Sequence, residues 1–382
     1  MSAFWEIRSL PVKSNALCRT REEALDVPRA DINLTVCRSC AYICNASFDA
    51  GRMQYDQTYE NALHFSPHFR AYADDLARRL IETYDLRGKD ILEIACGDGY
   101  FLKLLCKLGF NRGVGFDPSY ADRPTVEDAD MNVSIIKDYY DEKYSGRAAD
   151  LICCRHALEH IPDPVAFLRT VRRTIGERHR TVAFFEVPNA MFILRDLSVW
   201  DIIYEHCCYF TIPSLVQCFR SAGFEVDDAR EAYNAQFLTI AARPTREGKE
   251  PAVIDNLAVD DVVNAARNFA DRFSQKFDTW ARQFASLAAS PRKAVLWGAG
   301  SKGITILNML RLVYGSGGID YVVDINARKH GKFVAGTGQE IVPPEFLKKY
   351  APNVVVVMNP VYQSEIRRRL GELDLSVDLL NA

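Results

Sequence analysis

The sequence predicts an α/β protein, with a doubly wound, mostly parallel sheet followed by a second, smaller α/β unit. Three observations carry this. Apolar strand-like runs alternate with helix-periodic segments between about residues 90 and 242, as expected for a parallel sheet covered on both faces. The run Ile91-Leu92-Glu93-Ile94 passes into Ala95-Cys96-Gly97-Asp98-Gly99 and then Tyr100-Phe101, while the following strand, Val114-Gly115-Phe116, ends at Asp117. Glycines in such a turn let backbone approach a ligand, and a strand-end carboxylate can accept both hydroxyls of a ribose. The arrangement recurs at Ala294-Val295-Leu296-Trp297-Gly298-Ala299-Gly300-Ser301-Lys302-Gly303.

Composition bounds the answer. A chain of 382 residues exceeds one ordinary domain, so two or three are expected. With 48% hydrophobic and 25% charged residues it reads as globular, and a net charge of −3 leaves no basic footprint for nucleic acid. No apolar run approaches the roughly 20 residues of a membrane span. The opening Met-Ser-Ala-Phe-Trp-Glu lacks the basic and apolar regions of a secretory signal. Eleven cysteines, some inside expected strands (Cys153, Cys154) or beside the glycine turn (Cys96), point to a reducing cytoplasm rather than a disulfide framework.

Taken in order, residues 1–60 form a small N-terminal module with Cys37-Arg38-Ser39-Cys40 as a knuckle between short strands. The domain 61–245 opens with a helix over about 66–84, started by Ser66-Pro67. Strands follow at 90–95, 112–116, 133–136, 149–154 and 180–187, with helices at 99–108, 164–174 and 213–222 and a closing hairpin at 224–242. The charged, proline-bearing stretch 243–252 reads as a linker. The C-terminal domain, 246–382, has a long helix over about 258–288, then strands at 293–297, before Asp324, and at 353–358.

The first glycine turn reads E-x-x-C-G-D-G and lacks the third glycine of a dinucleotide fingerprint. It resembles the first motif of class I S-adenosylmethionine (SAM) methyltransferases, whose cofactor carries no pyrophosphate. A Rossmann-like domain for another nucleotide is the rival reading. The resemblance implies that Glu93, Ala95, Cys96, Gly97, Asp98 and Gly99 hold the methionine part and Asp117-Pro118 the ribose. Asp138 and Tyr139, at a strand end, either flank the adenine or are ordinary turn residues.

Beyond the strand ending at Cys154 comes Arg155-His156-Ala157-Leu158-Glu159-His160. Ligands of open parallel sheets sit beyond strand carboxyl ends. Histidines four apart share one face if the segment is helical, placing His156 with the cofactor and His160 where it could exchange a proton with substrate. Either could instead be a packing or capping residue. Tyr204-Glu205-His206 brings a phenol, a carboxylate and an imidazole into one loop. It serves either as a proton-removing group or as a set hydrogen-bonded to backbone.

Arg155-His156-Ala157-Leu158-Glu159-His160, Glu205-His206 with Tyr209-Phe210, and the second glycine turn occur in the same order in the sugar C-methyltransferase family, which the chain resembles over nearly its whole length. That family implies SAM as cofactor, a nucleotide-linked deoxyketosugar as substrate, and a catalytic set mapping onto His160, Glu205 and His206. Its tyrosine lies one position further from the Glu-His pair than Tyr204 does. It also implies an N-terminal zinc module with two C-x-x-C pairs. Here Cys37 and Cys40 remain, with Cys18 upstream and Cys44 as a further sulfur, so a structural zinc competes with cysteines packed as small apolar groups. The resemblance assigns Gly298, Gly300, Ser301 and Lys302 to the nucleotide sugar, the turn contacting phosphate, and Asn359, just after the last apolar strand, is expected to line the same cleft. A complete dinucleotide site with Asp324 is the alternative.

The expected activity is therefore carbon methylation. A base, His206 oriented by Glu205, or His160, removes the proton next to a carbonyl, and the enolate attacks the SAM methyl. O- or N-methylation of another small molecule is one rival. A non-catalytic SAM-binding protein is another.

Overall fold

The computed structural model describes residues 1–53, 59–121, 132–246, 256–314 and 318–381. Of the expected linker, 247–252 lies outside them. The N-terminal part is more ordered than its weak periodicity suggests. Strand β1 (Ser2–Pro11) is followed by α1 (Arg21–Leu25), β2 (Arg29–Val36) and β3 (Ile43–Asn45), the strands pairing antiparallel. The sheet is not self-contained, because its fourth strand is Cys208–Tyr209, which pairs with β3. That borrowed strand is separated from Glu205-His206 by one residue, so the N-terminal module is built against the loop that carries this pair.

In the middle domain, α2 (Pro67–Tyr84) starts where the Ser66 side chain accepts from the Phe69 N–H, with Pro67 in the first turn. There follow β4 (Asp90–Ile94), α3 (Tyr100–Gly109), β5 (Arg112–Phe116), β6 (Val133–Ile136), β7 (Leu151–Arg155), α4 (Pro164–Ile175), β8 (Val182–Pro188), α5 (Ala190–Asp196), β9 (Cys208–Tyr209), α6 (Ile212–Ser221), β10 (Phe224–Ala232) and β11 (Phe237–Pro244). The seven-stranded sheet has the order β10-β11-β8-β7-β4-β5-β6. Strands β4 to β8 run parallel, and the β10–β11 hairpin joins antiparallel to β8. Strand order reverses between β4 and β7, which creates the crevice in which open α/β sheets hold ligands. The residues just beyond these two strands, Ala95 (φ 55°) and His156 (φ 53°), both adopt left-handed backbone. Strain of this sort persists only where packing enforces it.

The C-terminal unit comprises α7 (Asn256–Ala288), β12 (Ala294–Trp297), α8 (Ser301–Tyr314), β13 (Ile319–Val323), β14 (Glu340–Val342), α9 (Leu347–Tyr350), β15 (Val354–Val357), α10 (Gln363–Glu372) and β16 (Asp378–Asn381). Its sheet is wholly parallel, in the order β14-β13-β12-β15-β16. The 33-residue α7 lies on the N-terminal module, where Trp5 meets Phe269 and Phe273 edge-on at 5.5 and 5.4 Å. One apolar core runs from Ile7, Leu34 and Ile43 through Leu194 and Phe269 to Leu296 and Val322. First module and last unit are thus packed as one body. Among the described residues, no helix is long and apolar enough to cross a membrane.

The second turn predicts a sharp contrast between its glycines. A Cβ at Gly303 would collide with the Gly298 carbonyl oxygen, whereas one at Gly300 would meet nothing. Gly303→Ala should lower stability in urea by about 1–3 kcal/mol, the usual cost of overpacking, and Gly300→Ala by under about 0.5 kcal/mol. Equal losses would contradict this packing.

Candidate active site

The strand-end loops of both parallel sheets meet at one cavity of about 240 Å³. The middle domain contributes His156, Glu159, His160, Asp201 and His206, and the C-terminal unit contributes Gly298, Gly300, Ser301, Lys302 and Asn359. Loop 59–66 forms a third wall. It also leads to the first glycine turn, since His64 stacks on Tyr100 at 4.6 Å and its Nε2 lies 3.4 Å from Asp98.

The first turn is held by its strand-end carboxylate. Asp117 Oδ2 accepts from the Gly97 N–H at 2.8 Å, and Oδ1 accepts from the Ser119 N–H and hydroxyl. Gly97 and Gly99 need their positive φ of 58° and 79°. The second unit repeats the device, with Asp324 Oδ2 accepting from the Ala299 N–H at 2.8 Å. Buried Glu93 has an Oε2 without a hydrogen-bond partner, and burial pushes its carboxyl up to about 8. A buried acceptor at the glycine turn, open to a donor, fits the cationic amino-acid end of SAM. Asp98 is bridged by Arg328 of the C-terminal unit at 3.1 Å, and the same guanidinium reaches Glu60 at 3.2 Å. Cys96 is buried against Gly115 behind the turn, with Ala95 and Pro118 flanking it.

Asp138 points elsewhere. Its carboxylate accepts from Lys143 at 2.6 Å and from the Tyr144 hydroxyl at 2.7 Å, and the Lys143 hydrogen bond holds it below the usual carboxylate range. Tyr139 is 59% exposed. Neither side chain is shown against a cofactor pocket, and the ordinary turn chemistry weighed for them is what is present.

At the substrate end, the expected helical face shared by His156 and His160 is not formed. His156 is left-handed and the short 3-10 turn Leu158–His160 follows, although both residues line the cavity. His156 Nε2 lies 2.9 Å from Glu186 Oε1. Although burial raises the Glu186 carboxyl, Arg155 at 2.7 Å brings it down to about 2. His160 Nδ1 is 2.9 Å from the Glu205 carbonyl, and His206 Nδ1 is 2.8 Å from the Asp201 carbonyl. Only an N–H can satisfy a carbonyl, so both rings carry hydrogen on Nδ1. Their centroids are 4.8 Å apart, and ligand atoms of Glu159, His160 and His206 lie within 4.8 Å of one another. Burial lowers His206 to about 4 and His160 further below its ordinary value. Burial also pushes Glu159 well above the carboxylate range, making it a neutral acid with an unpartnered Oε2.

Three expectations need correction. The Glu205 carboxylate does not orient His206. It accepts from the Ser14 backbone N–H and, at 3.1 Å, the Ser14 hydroxyl, tying the N-terminal module to the loop, and burial lifts it to about 7. Tyr204 faces away from the cavity, fully buried beside Phe48, its hydroxyl accepting from the Asp49 N–H at 2.9 Å. The metal set is not assembled. Cys18 packs with Ala24 and Phe333, Cys37 and Cys40 remain in the turn after β2, and among the described residues no cysteine joins a group of three or more close enough to share an ion. Asn359 lines the cavity but forms a reciprocal amide pair with Gln236, at 2.9 and 3.1 Å. Sequence reasoning missed Tyr59, Glu159, Asp201 and Gln236, all of which line the cavity. Glu159 alone carried a signal, its place beside His160.

Comparisons with known proteins give matches along most of the chain. Residues 64–229 match the methyltransferase domain family, and residues 256–375 match the C-methyltransferase C-terminal domain. The C-methyltransferase NovU of Streptomyces niveus is 26% identical over 352 residues, spanning 88% of this chain and 81% of that protein. A ubiquinone biosynthesis O-methyltransferase of Pseudomonas aeruginosa is 27% identical over 38% of this chain and 69% of its own length. Magnesium protoporphyrin IX methyltransferase of Synechocystis, solved with S-adenosylhomocysteine, overlaps 47% of this chain and 84% of its own at 13% identity, with a TM-score of 0.37.

The buried carboxyls predict a pH dependence. Glu93 and Glu205 bind protons more tightly folded than unfolded, so their contribution to stability is present at low pH and lost as pH rises through about 7–8. His206 and His160, with lowered values, act oppositely but only below about pH 6.5, their unfolded value. Between pH 6.5 and 8.5 the melting temperature of the unliganded protein should therefore fall, each carboxyl contributing up to about 1.4 kcal/mol per pH unit. Glu205→Gln should reduce that slope, and an unchanged slope would contradict the assignment.

Proposed function

We propose that this chain, a member of the SAM-dependent methyltransferases that carry a C-methyltransferase C-terminal domain, methylates carbon in a nucleotide-linked keto-deoxysugar. The carrying observation is the cavity itself, which joins a neutral imidazole to a second glycine turn. NovU, the relative matched along most of the chain, is a C-methyltransferase, which supports carbon over oxygen or nitrogen. SAM supplies an electrophilic methyl on a sulfonium. Glu93 and the Gly97–Gly99 turn would hold its methionine part and Asp117 its ribose. The nucleotide end of the acceptor would lie at Gly298, Gly300 and Ser301, where the first turn of α8 presents backbone N–H groups.

His206 Nε2 takes the proton from the carbon next to the carbonyl. The electron pair left on that carbon forms the new C–C bond as the S–CH3 bond breaks, releasing S-adenosylhomocysteine. The proton then leaves His206 for solvent. Enolate oxygen charge falls within reach of neutral donors on the cavity wall, where Glu159 and the Tyr59 phenol, its pKa raised by burial, both keep their protons. His160 packs against the base and, held neutral, adds no competing charge. Eleven free cysteines fit a reducing compartment, the cytoplasm.

His206→Asn should lower turnover by about 10²-fold or more while leaving SAM affinity by calorimetry nearly unchanged. Methyl-labelled SAM with nucleotide-linked keto sugars should yield a C–CH3 resonance. An O–CH3 or N–CH3 product would overturn the carbon assignment.

A further inference from the structure

The ammonium of Lys302, expected to meet substrate phosphate at the start of α8, is already engaged. It lies 2.9 Å from Asp201 Oδ2, and the two side chains are only 21% and 16% exposed. Asp201 works through two separate atoms. Its carboxylate takes the Lys302 ammonium, while its carbonyl oxygen holds His206 Nδ1 at 2.8 Å. A single residue therefore ties the second glycine turn to the imidazole of the loop. Asp201 closes the short 3-10 turn Val199–Asp201, which has no side-chain hydrogen bond capping its start. The turn is closed by the Ile202 N–H on the Val199 carbonyl, and Lys302 anchors the side chain of the residue whose carbonyl takes Nδ1.

We propose that Lys302 is a positioning residue for His206: through Asp201 it fixes the imidazole plane and its Nδ1–H tautomer, so the second glycine turn serves proton transfer as well as substrate. This rests on His206 being the base. The groups facing His206 are His156, Glu159, His160, Asp201, Tyr209 and Lys302. Of these, His156 and Lys302 add to burial in opposing a charge on the ring. Removing the ammonium leaves the Asp201 carboxylate uncompensated beside the imidazole, which favours imidazolium. It also frees the carbonyl that selects the tautomer. A lysine bound in this way is not a loose phosphate anchor, since leaving Asp201 would strip a mostly buried carboxylate of its partner.

The test uses the whole protein without substrate. Long-range 1H–15N spectra report tautomer and titration of each imidazole, and the His206 signal is assigned by its loss in His206→Asn. Lys302→Met should raise the His206 midpoint by about half a unit or more and mix its tautomers, while Lys302→Arg, which keeps the charge, should return both toward wild type. If Lys302→Met does not fold by circular dichroism, Lys302→Gln is read in the same way. An unchanged midpoint and tautomer would overturn the proposal. In turnover, Lys302→Met should lower kcat about tenfold or more with KM nearly constant, whereas a raised KM at unchanged kcat would make Lys302 a substrate ligand and sink the positioning role. Because the spectra need no acceptor, their outcome is separate from the failure of wild-type protein to methylate any keto sugar, which would instead remove the proposed reaction.

Discussion

A neutral imidazole shut inside a cleft between two sheets is the constraint on which the rest depends. Burial makes the charged ring costly, so His206 stands as a base only if a carbonyl claims Nδ1 and leaves Nε2 available. That carbonyl belongs to Asp201, whose own carboxylate is neutralised from the C-terminal unit. The Glu205 carboxylate beside it is claimed by Ser14 of the N-terminal module. All three parts of the chain therefore converge on one loop. This accounts for the continuous core running from the first strand to the last sheet, since independent domains could not hold a three-way contact to within a hydrogen bond.

The two glycine turns show one device used twice. In each, the carboxylate at the end of the next strand reaches back to a turn N–H, from Asp117 to Gly97 and from Asp324 to Ala299. The turn is set before any ligand arrives, which lowers the ordering cost of binding. The units are joined across the cavity mouth by polar pairs: Gln236 with Asn359, Ser66 with Glu365 at 2.7 Å, and Arg328 with Asp98 and Glu60. The Arg328 contact touches the first glycine turn itself, so the C-terminal unit packs against that turn.

Elements of strong period were legible in the sequence. The strands and helices of the middle domain fall within a few residues of their expected bounds, because buried parallel strands read as unbroken apolar runs and their helices carry one apolar face. The N-terminal sheet was not legible, since β9 is two residues long and lies far from its partner in sequence. Within the site, residue types were readable but their directions were not. Glu205-His206 looked like a carboxylate orienting an imidazole, yet the pair sits in a turn closed by the His206 N–H on the Ile203 carbonyl, the carboxylate goes to Ser14, and the orienting group is a backbone carbonyl that leaves no trace in sequence. Tyr204 failed as a site residue for the same reason. Asp201 and Gln236 became visible only when the long-range contacts were known.

The central claim is that His206 removes a proton next to a carbonyl held in this cavity. Hydrogen–deuterium exchange isolates that step from methyl transfer. With S-adenosylhomocysteine in place of SAM, wild-type protein in deuterated water should wash deuterium into the position next to the carbonyl of a nucleotide-linked keto sugar, and His206→Asn should not. Exchange at equal rates in both proteins, or methylation by wild-type protein without any such exchange, would contradict the account.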